Sequence, residues 1–153
     1  MKKTNYNELC ASLEALVSGV PHTIANLANA SALLYDRLGK INWAGFYLYN
    51  GDKLILSAFQ GKPACIEITL GSGVCGYAAV KRETVVVANV HEFSGHIACD
   101  PSSNSEIVIP IILDGDLFGV LDIDSPIFNR FDNVDKEGLE AFVSILSTHI
   151  KND

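Results

Sequence analysis

The chain has 153 residues, 48% of them hydrophobic and 19% charged, a composition that folds around a core rather than staying disordered. A single domain of this length buries roughly 70% of the surface its unfolded chain would expose. The net charge of −7 is spread without runs of like sign. It argues against a nucleic-acid partner, which would need clustered Lys and Arg, and favours a small-molecule ligand. No apolar stretch approaches the 18 or so residues of a membrane span. Met1-Lys2-Lys3 imitates the start of a signal peptide, but Thr4 to Glu8 is polar and no apolar region follows. A cytoplasmic location is therefore expected. In a reducing compartment the four cysteines are expected to be catalytic or redox-sensing rather than structural.

In chain order, the pattern predicts a first helix over about residues 4–18, with Leu9, Leu13, Leu16 and Val17 on one side. Pro21 stands where a first helical residue can stand. A second helical period runs through Ile24, Leu27, Ala28, Ser31, Leu34, Tyr35 and Leu38 to Gly39, a candidate C′ residue. Asn42 to Tyr49 and Leu54 to Phe59 read as strands flanking Asn50-Gly51, a hairpin signal. Cys65 to Thr69 reads as a third strand, Gly73 to Arg82 as a short helix, and Thr84 to Val87 as a further strand. Ala88 to Ser105 shows no period and is too long for an idle connection. Glu106 to Leu113 and Leu117 to Asp124 form an apolar hairpin joined through Asp114-Gly115 and covered on both faces. A last helix follows Asp132, an N-cap candidate, and buries Leu139, Phe142, Val143, Leu146 and Ile150. The whole is an α+β domain, a largely antiparallel sheet with helices from both ends packed on it.

Gly71, Gly73 and Gly76 match G-x-G-x-x-G between a strand and a helix. The elements that follow do not alternate as a dinucleotide-binding unit requires, so a tight turn is the expected role. Cys75 then lies near a helix N-terminus, where amide dipoles favour a thiolate or a bound anion. His91, His96 and Cys99 could supply zinc ligands, but no Cys-x-x-Cys pair supports them. Cys10 is expected to act as a small hydrophobe on the first helix. Cys65, Cys75 and Cys99 fall in polar, turn-rich settings, where reactivity explains them better than packing.

Glu106, Asp122 and Asp124 interrupt apolar strands, and a buried carboxylate without a partner takes up a proton. Asp122 and Asp124 share a face. A regular two-residue turn would pair Glu106 with Ile123 and turn it away. A three-residue loop, or a bulge near Pro110, would bring it to the aspartates, and such an irregularity is expected. At least one of three carboxyls held together should stay protonated near neutral pH. Trp43 and Tyr47 stand four apart on one strand and face the same side, as core or as an aromatic wall for a methyl or sulfur group.

The segments Ile41-Asn42-Trp43-Ala44-Gly45-Phe46-Tyr47, Phe59-Gln60-Gly61-Lys62-Pro63-Ala64-Cys65, Gly73-Val74-Cys75-Gly76, Gly95-His96-Ile97-Ala98-Cys99-Asp100, Ser105-Glu106-Ile107-Val108 and Gly119-Val120-Leu121-Asp122-Ile123-Asp124 resemble the motif series of the free methionine-(R)-sulfoxide reductases, stand-alone enzymes of the GAF fold. The match runs in order from about residue 20 to the last helix. It implies a single GAF-type catalytic domain over residues 1–153. It further implies that Cys99 is the nucleophile, Cys65 its main disulfide partner and Cys75 an auxiliary resolving thiol. Glu106, Asp122 and Asp124 would hold the polar groups of free methionine (R)-sulfoxide and polarise its oxygen, with Trp43 near the methyl end. Thioredoxin would be the reductant.

That chemistry needs no metal or organic cofactor. A thiolate attacks the sulfoxide sulfur while acids protonate the departing oxygen. The resulting sulfenic acid condenses with a second thiol, and the disulfide is exchanged with an external dithiol. A homodimer through the helical faces is expected. The main rival is a non-catalytic GAF module that binds a small molecule or senses redox state.

Overall fold

The computed structural model describes residues 3–95 and 101–151. Helix α1 spans Tyr6–Val17 and starts where the Asn5 side chain accepts a hydrogen bond from the Glu8 amide at 3.1 Å. Leu9, Leu13 and Val17 recur every four residues and are buried, the stripe that docks the helix. Helix α2, Thr23–Arg37, buries Leu27, Ala30, Ser31 and Leu34. It begins two residues later than Pro21, because His22 is extended (φ −112°, ψ 101°) and holds the N-cap position. The left-handed residue after α2 is Lys40 (φ 60°) rather than Gly39.

The six strands are β1 (Trp43–Tyr49), β2 (Lys53–Gly61), β3 (Glu67–Thr69), β4 (Val85–Val87), β5 (Ser105–Leu113) and β6 (Asp116–Ser125). They form one sheet in the order β3-β2-β1-β6-β5-β4, with every neighbouring pair antiparallel. Cys65 falls just before β3 rather than inside it. The β4 ladder covers Glu106 to Val108 and stops before Pro110, which has no N–H to offer it.

Alternation along the strands divides the core in two. Ala44 and Phe46 of β1, Ile107, Ile109 and Ile111 of β5, and Leu121 and Ile123 of β6 face the layer of α1, α2 and α4. Helix α4, Asn133–Ser147, opens on a capping box in which Asp132 and Asp135 each accept from the other's amide, and it buries Leu139, Phe142, Val143 and Leu146. Ile150 is buried too, but beyond the end of this helix. On the opposite face lie Trp43, Tyr47, Val108 and Val120, covered by α3 (Gly73–Lys81). That second face is where the acidic residues emerge. No helix among the described residues is long and apolar enough to cross a membrane.

Candidate active site

The β5–β6 hairpin decides which carboxyls meet. Asp114 (φ 51°) and Gly115 (φ 84°) are both left-handed, the two-residue turn that matches strand twist, so Leu113 faces Asp116. The register then slips: Ile112 faces Leu117 while Ile111 faces Gly119, which leaves Phe118 as an extra residue. Its side chain packs into the helical-side core, while Leu117 and Val120 face the other way. With that slip, Glu106 lies opposite Asp124, and Val108 lies opposite Asp122. The expected irregularity is present, but the extra residue sits on β6 and not on the strand that carries Pro110.

Across β6, Asp124 pairs with Trp43, Asp122 with Gly45 and Val120 with Tyr47. The acids and aromatics therefore share one face. They line a cleft that encloses about 540 Å³ including open solvent. Its remaining wall comes from Pro63 and Ala64 before β3, from Ile68 within it, from Ser72 to Cys75 at the start of α3, and from Ser103. Among the described residues that line it, none is Lys, Arg or His.

Trp43 and Tyr47 stack at 5.9 Å between ring centroids, and Trp43 stacks on Phe59 at 5.1 Å. Their polar ends reach the same loop. Trp43 Nε1 donates to the Lys62 carbonyl at 3.1 Å, and the Tyr47 hydroxyl donates to the Cys65 carbonyl at 3.0 Å. Burial, then the Asp122 charge, raises the Tyr47 hydroxyl far above its ordinary range, so it remains a donor. The two aromatics thus hold the backbone around Cys65 beside the acids, a role their spacing alone did not reveal.

Glu106 and Asp122 are buried and Asp124 is partly so. Burial raises the Glu106 carboxyl well above the usual range, and the charges of Asp122 and Asp124 push it further. Burial also raises Asp122, against hydrogen bonds from Glu106 and Cys75 that favour its ionised form. Both directions favour a proton kept within this group, with Glu106 pushed toward holding it by burial and by the two aspartates. Asp122 Oδ1 has no donor among the described residues, although a buried carboxylate oxygen ordinarily has one.

Cys75 is a free thiol at the first turn of α3. The helix dipole was expected to favour a thiolate or a bound anion here; burial and the charges of Asp122 and Glu106 instead raise this thiol well above its ordinary value. Three nearby carboxyls outweigh one short helix. Cys10 is a free, half-buried thiol that packs at the edge of the helical core, in keeping with its hydrophobic reading. His91 Nε2 lies 2.8 Å from Asn104 Oδ1, and Cys99 and His96 lie outside the described residues.

Gly76 explains part of the glycine motif. A Cβ there would sit 2.5 Å from the Thr69 carbonyl oxygen, so the α3 start can close against the strand only with glycine. Sequence reasoning missed Ser72 and Ser103. Ser72 is the N-cap of α3 yet makes no capping hydrogen bond, and Ser103 accepts from Asn42 Nδ2 at 3.1 Å. Neither sits in a periodic segment, so composition carried no signal for them.

The GAF domain family model matches residues 12–150. The free methionine-R-sulfoxide reductase of Escherichia coli is 50% identical over 147 residues, covering 95% of this chain and 89% of that protein. The chain belongs to the free methionine-R-sulfoxide reductases, a family of the GAF fold. The solved structure of fRMsr of Staphylococcus aureus in complex with substrate is 52% identical, with a TM-score of 0.94 and 99% of each chain covered. The free methionine-R-sulfoxide reductase of Neisseria meningitidis, also solved with its substrate, is 40% identical with a TM-score of 0.92, covering 97% of this chain and 92% of that one.

Proposed function

We propose that this chain reduces the R epimer of free methionine sulfoxide to methionine, with Cys99 as the attacking thiolate. The observation that carries the reading is the group of buried Glu106 and Asp122 and half-buried Asp124 beside Trp43 and Tyr47, in a cleft with no basic side chain among the described residues. Such a cleft suits a small molecule with an ammonium group and a basic oxygen beside an apolar methylthio end. The first amides of α3 border the same cleft and suit its carboxylate.

In this mechanism Cys99 attacks the sulfoxide sulfur while Glu106, protonated beforehand, gives its proton to the oxygen. Oxygen passes to Cys99 as a sulfenic acid and methionine leaves. The Cys65 thiol then attacks the Cys99 sulfur, forming a disulfide and releasing water. Cys75 serves as an auxiliary thiol. Thioredoxin restores both thiols by exchange, its own dithiol becoming the disulfide. The balance is one sulfoxide and two thiols to one sulfide, one disulfide and one water. Relatives at 40–52% identity are reductases by name, which favours catalysis over a non-catalytic sensor module.

A homodimer through the helical layer belongs to the same reading, since Leu16, Ile24 and Tyr35 leave apolar surface exposed on α1 and α2; sedimentation measures it. The deciding experiment is turnover of separate R and S epimers of free methionine sulfoxide, with dithiothreitol and then thioredoxin as reductant. Methionine from the R epimer alone, abolished by Cys99→Ser, is expected. No turnover by folded, reduced wild type would sink the reading.

A further inference from the structure

Cys75, Glu106 and Asp122 each bring one ligand-type atom to a common point, the sulfur and two carboxylate oxygens lying within 4.8 Å of one another. All three residues are more than nine-tenths buried. Among the described residues no cationic side chain lines the cleft around them, and Asp122 Oδ1 stands there without a donor among those residues. We propose that this trio binds a divalent cation of the zinc type, and that the cation competes with substrate for the cleft. The competition rests on the cleft being the substrate site; the binding does not.

The donor set selects the ion. One thiolate and two carboxylates suit a borderline-soft ion that accepts four ligands, whereas calcium and magnesium require more oxygens. Zinc lies about 2.3 Å from sulfur and about 2.0–2.2 Å from carboxylate oxygen. In a tetrahedral site two such ligands stand about 3.4–3.6 Å apart, so side-chain movements of about an ångström close the site. Binding expels the protons of Cys75 and Glu106, and the ion's two positive charges replace them. Carboxyls that repel one another in the free protein become co-ligands. A fourth coordination position remains toward the open side of the cleft, where substrate would otherwise sit.

The test uses the full chain with Cys65→Ser and Cys99→Ser, so that Cys10 and Cys75 are the remaining thiols. It is titrated with Co²⁺, because a cobalt–thiolate bond absorbs in the near ultraviolet and a carboxylate bond does not. One cobalt per chain with that band, bleached by Zn²⁺, is expected. Adding Cys75→Ser abolishes the band. Asp122→Asn, made with Cys75 retained, weakens binding by about tenfold or more, since even partners outside the ligand shell are worth about 10- to 100-fold. Circular dichroism establishes that each variant is folded; should Cys75→Ser fail there, Asp122→Asn carries the test. A folded Cys75 protein without the band, or a band that survives Cys75→Ser, overturns the site. Free methionine is expected to bleach the band. A band indifferent to methionine overturns the competition, while the turnover assay decides separately whether the cleft serves the reductase.

Discussion

Glu106 lies directly opposite Asp124 in the β5–β6 ladder, two pairs away from Val108 and Asp122. Directly opposed like charges destabilise a sheet, and here Glu106 is buried and Asp124 half-buried beside a third, buried acid. The arrangement persists because Glu106 holds its proton, raised by burial first and by Asp122 and Asp124 second. An unfolded glutamate ionises near pH 4.3. Above that pH the folded state binds the extra proton, so stability falls as pH rises toward the folded value. Glu106→Gln removes the titrating group and should flatten this decline. Urea melts of wild type and variant across pH 4.5 to 8 measure it; parallel declines in the two proteins would contradict the assignment. Methionine formation in the variant should fall steeply, because the amide has no acidic proton to give.

Gly119 sits beside the bulge and lets β6 approach β1. A Cβ at this position would lie 2.2 Å from the Tyr47 carbonyl oxygen and 3.0 Å from the Leu48 Cα, and neither backbone atom can rotate away. Gly119→Ala should therefore cost about 1–3 kcal/mol or more, the range for overpacking a dense core. Activity should fall beyond what the lost stability explains, since the same stretch of β6 sets the register of Asp122 and Asp124. A melt combined with turnover per folded molecule separates the two effects.

Much of this fold was legible because each element carries its own period or punctuation. Leu9, Leu13 and Val17 mark a helix, and Asp114-Gly115 marks a two-residue turn, from local chemistry alone. Residue spacing brought the acids to notice, since Glu106, Asp122 and Asp124 stand out among apolar neighbours. Their meeting was legible only as a choice between registers. The deciding feature, Phe118 displaced from the ladder, depends on the close passage of Gly119 past Tyr47, which lies more than 70 positions away in the chain. The ionisation of Cys75 was hidden for a similar reason. Its helix position was readable, but the three carboxyls that reverse the dipole's effect arrive from other strands.

Arg130, Asp135 and Tyr6 form a buried polar knot between α1 and α4. Arg130 Nη1 donates to Asp135 Oδ2 at 3.3 Å and its Nε to the Gly39 carbonyl at 2.8 Å. The Tyr6 hydroxyl donates to Asp135 Oδ1 at 2.5 Å. Asp135→Ala strands a buried guanidinium and should cost about 3–5 kcal/mol. Tyr6→Phe removes one hydrogen bond and should cost about 1–3 kcal/mol. A double-mutant cycle of these two should give a coupling well above experimental error, because the Tyr6 hydroxyl bonds the very carboxylate that Asp135→Ala removes. Additive costs would mean that the knot does not act as a unit.

Tyr47 supplies the prediction that separates positioning from substrate contact. Its hydroxyl bonds the Cys65 carbonyl, while its ring stacks on Trp43 and survives in Tyr47→Phe. The variant therefore keeps the aromatic wall and releases the segment that carries Cys65. In the proposed cycle, attack on the sulfoxide uses Cys99 and the acids, and Cys65 enters only when the disulfide forms. The first equivalent of methionine should appear at close to the wild-type rate in a single-turnover experiment. Loss of the second thiol should slow by about tenfold, since small misplacements of reacting groups carry rate penalties of that order or more. Quenched-flow sampling with thiol titration follows both events in one reaction. Equal slowing of the two would mean that Tyr47 acts on substrate directly. A delay confined to thiol loss would assign its hydroxyl to holding Cys65.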